Sequence, residues 1–144
     1  MTLNGTLLQR SDKLRYLGVH VVRSSDSSRF KISLDKPRRS FYRAANRSFG
    51  KVGRVASEEV TIQLSNSKCL PVLLYGLEAC SLSKSDLSSI DFAFNRFFMK
   101  LFRTNNKGLS VVFGICLPSV VLRSRADKLE QKFSLCADLV KALV

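Results

Sequence analysis

The sequence predicts a mainly α-helical chain that opens with a small N-terminal β-hairpin and continues as a bundle of about four helices. Three observations carry that expectation. Residues 3–22 hold two apolar stretches rich in Leu and Val, with a polar break between them. Helix-start signals follow at Asp35, Ser57, Ser83 and Pro118. Downstream of them, apolar residues recur at helical rather than strand spacing.

Taken in order, residues 3–10 and 14–22 read as two strands joined through Ser11-Asp12-Lys13. A lone hairpin is marginal in water, so this one needs a further sheet or a packed helix. The lone histidine, His20, falls on the second strand as a satisfied or exposed imidazole. Residues 23–29, rich in Ser and Asp, form a polar linker. The chain accordingly divides into a hairpin region, 1–28, and a helical region, 29–144.

The first helix begins with Asp35 at its cap and Pro37 in its first turn. Between residues 29 and 54 there are nine basic residues and a single acid, Asp35. Lys36, Arg39, Arg43, Arg47, Lys51 and Arg54 follow one another at spacings of 3, 4, 4, 4 and 3, which sets them along one helical face, with Arg38 beside them. Phe41, Ala45, Phe49 and Val52 fall largely on the other face. Aligned like charges repel, so such a row costs stability unless an anion lies along it. Either it is the solvated side of an amphipathic helix or it is a phosphate-binding surface, and its unmixed charge favours the second.

Ser57-Glu58-Glu59 opens the second helix, with acids where the helix dipole favours them and Val60, Leu64 and Ser67 on one side. Pro71 is expected to kink or end it. Cys69 to Cys80 is the most apolar run, a short core helix or a buried strand by periodicity alone. Its place between Pro71 and Ser83 favours the helix. Ser83-x-x-Asp86 is a capping-box-like start for a helix reaching about Thr104. There Leu87, Ile90, Phe94, Phe97 and Leu101 form a core-facing seam. Phe92, Phe98 and Phe102 widen it, so the helix is buried on two sides or covered by a partner, and an aromatic stripe at this spacing favours core over a base-stacking platform. Arg96, Lys100, Arg103 and Lys107 make a second basic cluster. Residues 109–117 read as a short strand or turn. A last helix from Pro118 lines Leu122, Leu129, Phe133, Cys136, Val140 and Leu143 along one face.

Composition bounds the function. A length of 144 residues can bury roughly 68–70% of the unfolded surface, and a 45% hydrophobic share argues against disorder. The excess of 24 basic over 11 acidic residues, +13 net, makes a polyanion the expected partner, nucleic acid before a membrane surface. An acidic protein partner is the alternative. The four cysteines stand 11, 36 and 20 residues apart without Cys-x-x-Cys, so zinc spacing is absent. Apolar flanks suit reduced, buried thiols in an intracellular compartment. No signal peptide or membrane-spanning run is visible.

Catalytic constellations are missing as well. Two-metal chemistry needs converging carboxylates, yet the adjacent pair Glu58-Glu59 points about 100° apart on a helix. Gly50-Lys51-Val52-Gly53 is too short for a phosphate loop. No catalytic residue, metal ligand or cofactor is expected.

Several pieces together resemble the reverse transcriptases of LINE-type (non-LTR) retrotransposons: Tyr16-Leu17-Gly18-Val19, the basic helix, Leu70-Pro71-Val72-Leu73-Leu74-Tyr75-Gly76-Leu77-Glu78, and Asn95 to Phe102, in that order. The resemblance covers roughly residues 1–135 and implies the last hairpin of a polymerase palm followed by its helical thumb. Tyr16, Leu17 and Gly18 then take a primer-grip-like position, and the basic helix lies against the template–primer backbone. The family's metal-binding aspartates, which would hold Mg, precede Tyr-Leu-Gly and have no counterpart here. The resemblance thus implies an inactive fragment of an RNA-directed DNA polymerase, partnered by RNA, DNA or their hybrid and by the polymerase core that it lacks. An independent basic helical nucleic-acid-binding module, or a basic protein-interaction domain, is the alternative.

Overall fold

The computed structural model describes residues 2–3, 6–7, 11–23, 30–52, 56–104 and 114–143. They fall into two compact units, Met1–Ser33 and Leu34–Val144. The mainly helical class with a small N-terminal sheet is what the chain adopts.

The first unit is antiparallel β-structure. β1 (Thr2–Leu3) pairs with β2 (Thr6–Leu7). A separate sheet has the order β3 (Lys13–Tyr16), β4 (Val19–Arg23), β5 (Phe30–Ile32). This corrects the expected hairpin: Ser11–Lys13 does not join two paired strands, because the stretch before it pairs only with itself. The turn lies instead inside the second apolar stretch, at Leu17-Gly18, so Tyr16 faces Val19 and Leu14 faces Val21. Both turn residues have positive φ, 44° and 86°, the backbone of a type I′ hairpin, whose twist matches that of its strands. Glycine supplies that geometry freely at the second position, whereas leucine at the first does so against its Cβ. β5 is an addition within the helical region as expected from sequence. Its pairing sets Ile32 beside Val21, and Ser33 N–H donates to the His20 carbonyl at 2.9 Å.

The second unit is built from α1 (Asp35–Val52), α2 (Glu58–Leu64), a π-helical turn (Ser65–Cys69), α3 (Leu70–Leu74), α4 (Lys84–Leu101) and α5 (Pro118–Leu143). Asp35 sits inside the first turn of α1 rather than at its cap, since Arg38 N–H already reaches the Leu34 carbonyl at 3.1 Å. Ser57 caps α2 by accepting from Val60 N–H.

Pro71 does not end the second helix. The wider π turn ends two residues before it, with Leu70 N–H reaching the Ser65 carbonyl, so proline enters a fresh helical turn where its missing N–H costs little. The side of this helix that holds Val60, Leu64 and Ser67 is not its buried side. Val60 is exposed and Leu64 half-buried, while Thr61, Ser65 and Cys69 are buried. Ser65 satisfies its hydroxyl by donating to the Thr61 carbonyl at 2.9 Å. Small residues are favoured there because α1 packs against the π turn and α3, presenting Ala45 and Ser48 to that side.

After Leu74 the chain turns sharply. Tyr75 (φ −55°, ψ 120°) and Gly76 (φ 71°) are the two central residues of a type II turn closed by Leu77 N–H to the Leu74 carbonyl at 3.1 Å. That turn needs glycine at its third residue. Thus Pro-x-Leu-Leu-Tyr-Gly is a short helix plus its turn. It buries Leu70, Leu73, Leu74 and Leu77 and leaves Tyr75 outside.

Ser83 and Asp86 form the expected capping box on α4: Asp86 N–H donates to Ser83 Oγ at 3.1 Å and Ser83 N–H to Asp86 Oδ2 at 3.0 Å. α4 supplies the core, with Ile90, Ala93, Phe94, Phe97 and Phe98 buried. Phe94 and Phe98 meet edge to face at 4.9 Å, and Phe41 of α1 meets Phe97 at 5.5 Å. Tyr42 Oη donates to the Ala93 carbonyl across the same interface at 3.3 Å. Asp91 of α4 accepts from Ser119 N–H at 2.9 Å, a carboxylate at the positive end of α5. α4 ends at Leu101 rather than near Thr104.

Three further expectations are corrected. Phe92 lies outside the core, 63% exposed, because it falls on the far side of α4 from Phe94. On α5 the seam is covered at its start and open further on: Leu122 is buried and Leu129 half-buried, but Phe133 and Cys136 are exposed, and the side chains of Val140 and Leu143 lie outside the described residues. Of the cysteines, Cys69 is buried and Cys80 half-buried, whereas Cys116 and Cys136 are exposed; all are free thiols. Of residues 109–117, those at 109–113 lie outside the described set, and Gly114 to Leu117 form a turn and irregular chain.

Candidate nucleic-acid interface

The basic row on α1 follows from its amphipathic period. Phe41 and Ala45 are fully buried, and Phe49 reaches Phe97 at 5.2 Å. At ~100° per residue, Arg39, Arg43 and Arg47 project about 160° round the helix from that face. Lys36, Arg39, Arg43 and Arg47 are all exposed. Among the described residues, no carboxylate lies within ion-pairing distance of Arg39, Arg43 or Arg47. Lys51 belongs to the last turn of α1, and Arg54 lies outside the described residues.

Arg38 stands apart from the row. It is half-buried, its guanidinium lies 3.9 Å from Asp35, and its Nε is buried without a hydrogen-bond partner.

The second cluster occupies the outward face of α4. Arg96 and Lys100 are exposed there, and Arg103 follows just past the helix end with φ 50°; Lys107 lies outside the described residues. Phe92 occupies the same face one turn before Arg96. Because Phe41 and Phe49 point toward α4, the α1 row faces away from it, and the two basic rows are separate surfaces. Sequence reasoning favoured core over a base-stacking platform for the aromatic stripe and so did not name Phe92 as a site residue. The usable signal was its spacing of four and eight residues from Arg96 and Lys100.

In the sheet unit, Tyr16, Leu17 and Gly18 form the exposed tip of the β3–β4 hairpin, with Tyr16 at 65% and Leu17 at 74%. His20 is half-buried on β4.

Burial pushes the Cys69 thiol above its ordinary value, only partly offset by a hydrogen bond with the Ser48 hydroxyl. Cys80 is raised by burial and then by the charge of Glu78. Glu78 turns Oε2 inward without a hydrogen-bond donor. Among the described residues, no three His, Cys, Asp or Glu side chains are grouped to hold a metal ion, and no helix is long and apolar enough to cross a membrane.

Comparison of the chain with protein-family models, with curated proteins and with solved structures finds no match.

Proposed function

We propose that the helical unit holds a nucleic-acid backbone along α1, in the manner of a polymerase thumb, and that the chain is the palm-end and thumb portion of a LINE-type reverse transcriptase without catalytic activity of its own. The observation that carries this reading is the row Lys36, Arg39, Arg43 and Arg47, exposed on the face of α1 opposite its buried aromatics. Such a row suits an RNA–DNA hybrid or RNA duplex. A-like helices have a major groove that side chains cannot read, so proteins grip their backbone and shape. Phosphate contacts position the duplex without reading its sequence. The exposed tip at Tyr16, Leu17 and Gly18 supports the primer-grip-like role in the same reading.

A second reading, an independent basic helical module, draws on the helical unit having a buried aromatic core of its own. Both readings place phosphates on α1. Changing Arg39, Arg43 and Arg47 together to Glu should abolish retention of a fluorescent RNA–DNA hybrid in an anisotropy titration, with the helical circular dichroism unchanged. Undiminished binding by that triple variant would refute the proposal.

A further inference from the structure

We propose that the outward face of α4 is a second nucleic-acid surface, one that takes a single strand by stacking an unpaired base on Phe92 while Arg96, Lys100 and Arg103 hold the following phosphates. It deepens the reading of the chain as a nucleic-acid binder but uses a different surface from α1.

Phe92 is the anomaly from which the inference starts. Every other described phenylalanine of α4 is buried in the core, at positions 94, 97 and 98, whereas Phe92 is 63% exposed. A large apolar ring in water is common enough singly. This one has neighbours of a particular kind. Arg96 lies one turn on and only ~40° round the helix, and Lys100 lies a turn beyond that. Arg103, exposed and with φ 50°, follows just past the end of α4. From Phe92 to Lys100 the rise is about 12 Å, room for a few nucleotides of extended chain.

Among the described residues, none of Arg96, Lys100 and Arg103 has a carboxylate within ion-pairing distance, so the line is unneutralised. A protein partner's apolar patch would match Phe92 but strand three cations; a duplex would satisfy the cations but offer the ring no exposed base face. A single strand satisfies both, because every base has a π-face and every linkage a phosphate. Aromatic platforms beside cationic tracks are how sequence-tolerant single-strand binding is built.

The chain has no tryptophan, so Phe92→Trp installs a lone indole reporter at the stacking position. An oligothymidylate or oligouridylate should quench its emission, and an abasic oligonucleotide of equal charge should not. In anisotropy titrations Phe92→Ala should weaken single-strand binding by about 5- to 100-fold and leave hybrid-duplex affinity unchanged. The Arg39, Arg43 and Arg47 charge reversal should do the opposite, so failure of one surface is distinguishable from failure of the other. The thymidylate and uridylate arms separate DNA from RNA. Absence of quenching, equal loss on both ligands, or a Phe92→Ala effect confined to self-association in sedimentation would overturn the proposal.

Discussion

The sheet unit and the helical unit share one chain and differ in what holds them together. In the helical unit Phe41, Phe94 and Phe98 are fully buried and joined in one cluster of ring contacts with Phe97, and Leu70, Leu73, Leu74 and Leu77 are buried as well. In the sheet unit, none of residues 11–23 and 31–33 is fully buried; Leu14, Tyr16 and Leu17 are exposed and Val19 to Val22 half-buried. Backbone pairing shapes the first unit, and side-chain packing shapes the second. Half-buried strands gain less from burial than a packed core does, and the exposed turn carries a leucine at positive φ. The helical unit places its special backbone where it serves packing, at the π turn and at Gly76.

The largest expected effect lies in the aromatic core. Phe94→Ala should destabilise the helical unit by about 3–5 kcal/mol, read as a lowered urea midpoint in circular dichroism. Leu14→Ser, on the exposed sheet face, should move the same transition by less than about 0.5 kcal/mol. Equal effects would erase the contrast between the units.

The sheet should respond instead to its turn. Leu17→Asn puts a residue that tolerates positive φ at the first turn position, and Asn-Gly is the preferred type I′ pair. It should stabilise the hairpin by roughly 1 kcal/mol, seen as slower amide exchange at Val21 and Val22. Faster exchange would show that Leu17 makes a contact worth more than its strain.

The cysteines offer a smaller effect, dependent on pH. Cys116 and Cys136 should alkylate readily in the native protein, and Cys69 only when the helical unit opens. Burial raises the folded-state values of Cys69 and Cys80 above their unfolded ones. The folded state therefore holds these protons more tightly, and the associated stability is complete below the unfolded value of ~8.5. It is lost as pH rises from there through the raised folded values. A urea midpoint that fails to drop through that alkaline range, or rises, would contradict the assignment.

Much of the architecture was legible because helix starts carry local chemistry. Ser57, Ser83 with Asp86, and the α1 basic row with its apolar counter-face all announced themselves through spacing. The rest depended on partners that spacing does not reveal. The turn at Leu17-Gly18 hid because leucine is not a turn former, and the buried side of α2 hid because close approach to α1 favoured Ser65 and Thr61 over Val60. Pro71 misled because a π turn absorbed the break. Phe92 and Phe133 misled because a helical period names a face without saying how far the bundle covers it. Of the candidate site, Lys36, Arg39, Arg43 and Arg47 stand together as the spacing indicated, while Arg38 turns partly inward toward Asp35.

The central claim, that the α1 row exists to meet phosphates, is tested most directly by the salt dependence of binding to a short RNA–DNA hybrid. Engagement of about four phosphates gives a log–log slope of affinity against salt of about −3 to −4. Affinity that does not change with salt would contradict it.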